Sequence, residues 1–155
     1  MHGIVKKEAT VDLPIDKDPD HKARRMVTPE GYPSVTHYRP LEVFDIPKEA
    51  SIGGVFPAEE GSIPGYSLVE LKLDTGRTHQ IRVHMTHLGH PLAGDEMYGQ
   101  LYGYSKDPEW MPRQALHAAA LEFEHPKDGR HMSFSAPLPS DMQKALKLLE
   151  ISSKA

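Results

Sequence analysis

Between Tyr66 and Pro91 the spacing of apolar side chains changes period, and that change constrains the fold more than any other feature of the chain. From Tyr66 to Leu73 the residues alternate, Tyr66, Leu68, Glu70 and Lys72 against Ser67, Val69, Leu71 and Leu73, which suits a strand buried mainly on one face. Beyond it, Ile81, His84, Met85 and Leu88 fall at i, i+3, i+4 and i+7, the stripe of an amphipathic helix. Thr78 is the expected N-cap, Gly89 the residue just past the helix end, and Pro91 the stop. The same helix turns His79, Arg82 and Thr86 away from the stripe, free to meet a ligand.

The flanks add strands and one more helix. Val35, Tyr38, Leu41 and Val43 mark a strand within Tyr32–Asp45, with Pro33 and Pro40 demoting parts of it to edge or bulge. Gln114–Glu124 and Met132–Ser135 are two extended runs joined through Asp128-Gly129, a strong hairpin signal. Ser140-Asp141-Met142-Gln143 has the form of a capping box, and Met142, Ala145, Leu146 and Leu149 continue it as a helical stripe. Gly53-Gly54 and Glu59 to Gly65 are turn-rich. Residues 1–31 are expected to be loop-rich, with little regular structure before Arg25, because Leu13-Pro14-Ile15 and Asp18-Pro19-Asp20 interrupt them. The expected fold class is α+β, a mixed and mainly antiparallel sheet with a few helices, in a single domain of 155 residues.

Composition narrows the partners. The net charge of −4 argues mildly against nucleic acid, since Lys and Arg supply most non-specific affinity for phosphate. Distribution counts as well: Lys17, His21, Lys22, Arg24 and Arg25 form a basic run that is either one face of a binding surface or a solvated loop. There are no cysteines, so disulfides and thiolate metal sites are excluded. No apolar run reaches the roughly 18 residues a membrane span needs, and the start lacks a signal-peptide pattern. A cytoplasmic protein without a membrane partner is expected.

Residues 74–99 read DTGRTHQIRVHMTHLGHPLAGDEMYG, the densest run of positionally specific polar residues and glycines in the chain. Thr75-Gly76-Arg77-Thr78-His79-Gln80-Ile81-Arg82, Leu88-Gly89-His90-Pro91, Gly94-Asp95 and Tyr98-Gly99 resemble the C-terminal motif block of the RluA-type RNA pseudouridine synthases. Gln114-Ala115-Leu116-His117-Ala118, His125-Pro126 and Ala136-Pro137-Leu138-Pro139 are similar to the way that family's domain closes. Upstream, Arg24-Arg25-Met26-Val27 and Thr36-His37-Tyr38 resemble its linking hairpin, although Gly31-Tyr32-Pro33 departs from the usual Gly-Lys pair.

The resemblance implies isomerisation of uridine to pseudouridine in rRNA or tRNA by an aspartate, without metal or cofactor. It makes Arg82, in Gln80-Ile81-Arg82, the catalytic candidate, pairing with that aspartate and contacting substrate. A buried carboxylate needs such a cation to stay ionised, and arginine offers a permanent charge on a planar fork. Arg77, Thr78, His79 and Gln80, at the strand-to-helix junction, become the expected RNA contacts. The nucleophile's Arg-Leu-Asp-x-x-Thr-Ser-Gly-like motif has no match here, nor has the Lys-x-Tyr-x-Ala segment whose tyrosine stacks on the target base. Residues 1–155 are therefore expected to be the C-terminal part of one catalytic domain, incomplete and inactive alone, with an exposed sheet edge prone to self-association. The alternative is a non-catalytic RNA-binding or assembly fragment.

Other readings are weaker. Asp74-Thr75-Gly76 spells the aspartic-protease triplet, but Arg77 follows where a small residue belongs. His79, His84, His87 and His90 lack a converging metal-ligand spacing, and no metal is expected. Asp95 is expected to fix a turn through an Asx bond rather than attack a substrate. Trp110 and Tyr102 are expected to pack on the protein itself rather than on a base.

Overall fold

A ten-residue strand organises the first half of the molecule. The computed structural model describes residues 1–46, 65–103 and 110–154. Strand β4 (Val35–Phe44) lies between β1 (Ala9–Asp12) and β5 (Tyr66–Leu73), both antiparallel to it. Pairing with β1 ends at the Ala9–Tyr38 pair, so beyond Tyr38 the strand has a ladder neighbour on one side only among the described residues. Pro40 sits in that stretch, at a register shift between Pro40 and Glu42. Proline is tolerated at such an edge or bulge, and the expected bulge forms where the expected edge begins.

The first 31 residues keep many turns, yet three short strands thread them: β1, β2 (Ile15–Lys17) and β3 (Arg25–Val27). This is more regular structure than the prolines suggest, because Pro14 is a connector between strands rather than a member of either. The chain start is also tied down. Met1 N donates to Ser67 O at 2.9 Å, and His2 N to Pro91 O at 2.9 Å.

Helix α1 (Gln80–His87) corrects the expected cap. Its N-cap is His79, left-handed at φ 58°, with no side-chain cap bond. Thr78 is left exposed, one residue too early to serve. At the other end Gly89, at φ 83°, takes the expected place past the helix, with His90 N reaching back to Met85 O at 2.8 Å. The helix buries more than one stripe: Val83, Thr86 and Gln80 are buried along with His84 and Met85, while Leu88 is exposed. Thr86 is thus not free at the surface. Packing from β3 and β4 on two sides overrides the single-stripe pattern.

Two cores follow. Phe44, Ile46, Tyr66, Ala93 and Leu149 form one, against which Trp110 packs edge-on to Tyr66 at 5.2 Å. Ile15, Val83 and Tyr98 form another, under the β2–β3 hairpin. Helix α3 (Ser140–Ser152) buries Met142, Ala145 and Leu149, as its stripe predicts, but not through a capping box. It begins one residue early with Pro139 as N-cap, so Ser140 is already helical, and Gln143 Nε2 donates to Leu138 O instead. Strands β6 (Ala120–Glu124) and β7 (His131–Ser135) form the expected hairpin through Asp128-Gly129. Its apolar residues Leu121, Phe123, Met132 and Phe134 share one face, yet Leu121 and Phe134 are 59% and 51% exposed. The arrangement is α+β with antiparallel pairing throughout the described sheets. The turn-rich run around Gly53-Gly54 lies outside the described residues.

Candidate active site

Gly94 sets the position of the carboxylate that organises the site. At φ 72° it takes a backbone conformation that side chains disfavour, and a Cβ there would lie 2.1 Å from Arg113 O. Only glycine lets the chain pass Met111 and Arg113 this closely. Asp95 follows, and its Oδ1 accepts the Tyr98 N–H at 3.1 Å as N-cap of the short helix α2 (Glu96–Gly99). The expected Asx turn is present.

Asp95 does more than turn the chain. Its Oδ2 accepts Arg82 Nε at 2.7 Å and its Oδ1 accepts Nη2 at 2.8 Å, a bidentate pair. The carboxylate is wholly buried and the arginine side chain 12% exposed. The hydrogen-bonded Asp95 raises the Arg82 pKa above its ordinary value, locking the charge on. Arg82 also lies over the Tyr98 ring, 4.9 Å from its centroid. With Nε–H and one Nη2–H given to Asp95, Nη1 and the second Nη2 hydrogen have no partner among the described residues and face any further carboxylate or substrate oxygen.

His79 and Tyr98 complete the node. The Tyr98 hydroxyl accepts the Arg25 N–H at 2.9 Å and meets His79 Nδ1 at 3.1 Å. Burial lowers the His79 pKa, and the nearby Arg82 and Arg25 charges lower it further. The imidazole is therefore neutral at neutral pH, so Nδ1 can accept the phenol proton. Burial also raises the Tyr98 pKa, keeping the phenol protonated.

The other expected contacts separate into surface and scaffold. Arg77 and Thr78 are exposed; Arg77 Nε donates to Pro33 O at 3.3 Å, and its guanidinium lies 5.5 Å from the Tyr32 ring centroid. Gln80, expected among the RNA contacts, is 2% exposed. Its Oε1 accepts from Thr75 Oγ1 and Arg77 N, and its Nε2 donates to Val35 O and Thr36 Oγ1. The amide is fully used in fastening β4 to the junction. Thr36 Oγ1 in turn meets His84 Nδ1 at 2.9 Å, and His84 Nε2 meets Leu13 O at 2.8 Å. A carbonyl only accepts, so Nε2 carries the proton and Nδ1 accepts from Thr36. Burial lowers the His84 pKa, in keeping with that neutral tautomer.

Asp74 is exposed and meets His37 Nε2 at 2.7 Å, ending a strand rather than forming a carboxylate pair. Among the described residues no group of three or more His, Cys, Asp or Glu side chains is placed to hold a metal. Tyr102 donates to Thr86 O at 2.9 Å. Two partners were not foreseen from the sequence: Asp95 as the anion of Arg82, and Tyr98 as the link to His79 and Arg25. The signal present was the Asp95-to-Tyr98 capping spacing. Arg82 and Asp95 are 13 positions apart, a spacing that gives no local signal of their pairing.

A model of the RNA pseudouridylate synthase family matches residues 1–87. An uncharacterized RNA pseudouridine synthase of Chloroflexus aurantiacus is 43% identical over 148 residues, 96% of this chain and 40% of the relative. The ribosomal large subunit pseudouridine synthase D of Nitrosomonas europaea is 40% identical over 95% of this chain and 38% of its own length. The chain thus spans about two fifths of the length of the curated relatives it matches. The solved structure of human RNA pseudouridylate synthase domain containing 1 superposes at a TM-score of 0.64 with 25% identity, covering 96% of this chain and 62% of that one.

Proposed function

The chain belongs to the RNA pseudouridylate synthase family, and from that premise we propose that it provides the arginine side of a uridine-isomerising site acting on rRNA or tRNA. The observation that carries this reading is the Arg82–Asp95 pair, which holds one guanidinium rigid and charged with Nη1 left over. In the reaction the uracil N1–C1′ bond breaks and a C5–C1′ bond forms, with the C5 proton lost and N1 protonated. Arg82 Nη1 would hold the attacking carboxylate ionised and contact the base.

Asp95 is not that nucleophile. Both its oxygens are committed to Arg82 and one also to Tyr98 N, and no solvent reaches it. The attacking aspartate and the stacking tyrosine belong, in this reading, to a segment outside these 155 residues. Arg77, Thr78 and His79 contact the RNA backbone beside the helix start, with Gln80 positioning that junction. The protein works in the cytoplasm, without metal or cofactor.

Release of tritium from C5-labelled uridine in bulk RNA tests the reading. This chain alone is expected to release none, and turnover by it alone would show that its own residues include the nucleophile. The chain also self-associates through the uncovered β6–β7 ribbon, whose edges invite pairing. A single monomeric boundary in sedimentation velocity at tens of micromolar would contradict that.

A further inference from the structure

Tyr32 and Arg77 stand side by side at the surface, where the segment before β4 meets the turn before α1. Tyr32 is 63% exposed, and the Arg77 guanidinium lies over its ring, 5.5 Å from the centroid. Exposed aromatic side chains are common on protein surfaces. This one differs in its fixed backbone and in its neighbour's charge.

Tyr32 N donates to Ile15 O at 2.9 Å, and Tyr32 O accepts Ile15 N at 3.0 Å and Ser34 Oγ at 2.8 Å. Gly31 packs so closely on Ile15 that a Cβ would lie 2.6 Å from the Ile15 carbonyl carbon. Arg77 is bound to the same segment. Its Nε donates to Pro33 O at 3.3 Å and its N–H to Gln80 Oε1 at 3.0 Å, while Gln80 Nε2 reaches Val35 O at 2.9 Å. The backbones that carry ring and cation are thus set relative to one another before any ligand arrives, which lowers the ordering cost of binding.

Arg24, Arg39, Arg82, Arg113 and Arg130 each meet a carboxylate. Arg77 meets none among the described residues, and its two Nη groups have no hydrogen-bond partner there. In a chain of net charge −4, this leaves an uncompensated cation beside an open aromatic ring.

We propose that Tyr32 and Arg77 form a stacking platform for one unpaired base of the bound RNA, a base other than the one addressed by Arg82. The base lies on the open part of the Tyr32 ring, and the Arg77 Nη groups meet its phosphate. The assignment rests on the RNA-binding reading above. A ring beside an arginine matches both halves of a nucleotide, the π-face of any base and the phosphate charge. A bare phosphate would leave the ring unmatched, and an apolar partner would leave the cation unmatched. Duplex RNA, with its bases stacked inside, would meet only the cation.

Fluorescence anisotropy of the 155-residue chain with a labelled single-stranded RNA oligomer, and with a duplex of the same length, tests this. Tyr32→Ala should weaken single-strand binding at least about fivefold, the low end of what one lost base–aromatic stack costs. Its salt dependence and melting temperature should be unchanged, and Tyr32→Trp should retain the affinity. Arg77→Ala should also weaken binding, but with the slope of log Kd against log salt reduced by about 0.7, the loss of one single-strand phosphate contact. A Tyr32→Ala chain that binds the single strand as tightly as the unsubstituted chain overturns the platform and leaves the RNA reading standing. So does an equal Tyr32→Ala loss on the duplex, or a Tyr32→Trp chain as weak as Tyr32→Ala. An unchanged salt slope in Arg77→Ala overturns the phosphate contact. If the unsubstituted chain binds neither RNA, the RNA reading falls and the platform with it.

Discussion

The Arg82 node and the β6–β7 ribbon have opposite relations to the rest of the molecule. At the node every group is fixed from several sides: Asp95 is held by two arginine donors and a backbone N–H, and Tyr98 by Arg25, His79 and the guanidinium over its ring. The ribbon has the alternation of a half-buried sheet, but its apolar face, with Phe123 and Phe134 stacked at 5.9 Å, is left to solvent. A polar node can be complete within one chain because its partners are few and local. An apolar face needs an area to cover it, and the described residues do not supply one.

The contrast would be broken most decisively at Asp95. Asp95→Ala leaves the Arg82 charge mostly buried and unpaired and removes the α2 cap, so a loss of about 3–5 kcal/mol is expected in urea unfolding. A loss below about 1 kcal/mol would mean the node is no more built than the ribbon. Gln80→Leu removes the amide that ties Val35, Thr36, Thr75 and Arg77 together. It should cost about 2 kcal/mol through groups left unsatisfied, and should loosen the Arg77–His79 junction in hydrogen exchange.

A smaller effect is expected from pH. His84 and His79 both have folded pKa values lowered below the ordinary histidine value, about 6.5. Below that value the unfolded chain binds more protons than the folded one, so the stability these rings contribute is full above it and falls as pH drops toward their folded pKa values. Unfolding free energy should therefore decline from pH 7 to pH 5, and His84→Gln should flatten the slope. The smallest change in stability belongs to the ribbon. Leu121→Lys with Phe134→Lys should move unfolding by less than about 0.5 kcal/mol, as exposed substitutions do, while shifting sedimentation from oligomer toward monomer. A loss of several kcal/mol would show that the face is covered after all.

What could be read from the sequence follows the same division. Local periodicity gave β5, the hairpin and the buried face of α3, because these depend on neighbours two to four residues apart. The Gly89 helix end and the Asp95 turn were equally local. Caps were misplaced at Thr78 and Ser140, where a one-residue shift in the helix start decides which side chain can serve. The Arg82–Asp95 pair and the burial of Gln80 and Thr86 depend on β3, β4 and the Gly94 crossing, contacts that no short-range pattern encodes. The family resemblance singled out Arg82, and only the fold shows what fixes it.

The central claim is that Arg82 acts on the reacting groups rather than simply holding RNA. The direct measurement is Arg82→Ala in a chimera joining this chain to the N-terminal part of the Chloroflexus aurantiacus relative, with turnover and RNA affinity measured together. Turnover should fall about 10²–10³-fold, the scale of losing one charge-stabilising donor, with the RNA Kd changed by less than about threefold. Equal losses in turnover and affinity would contradict the account.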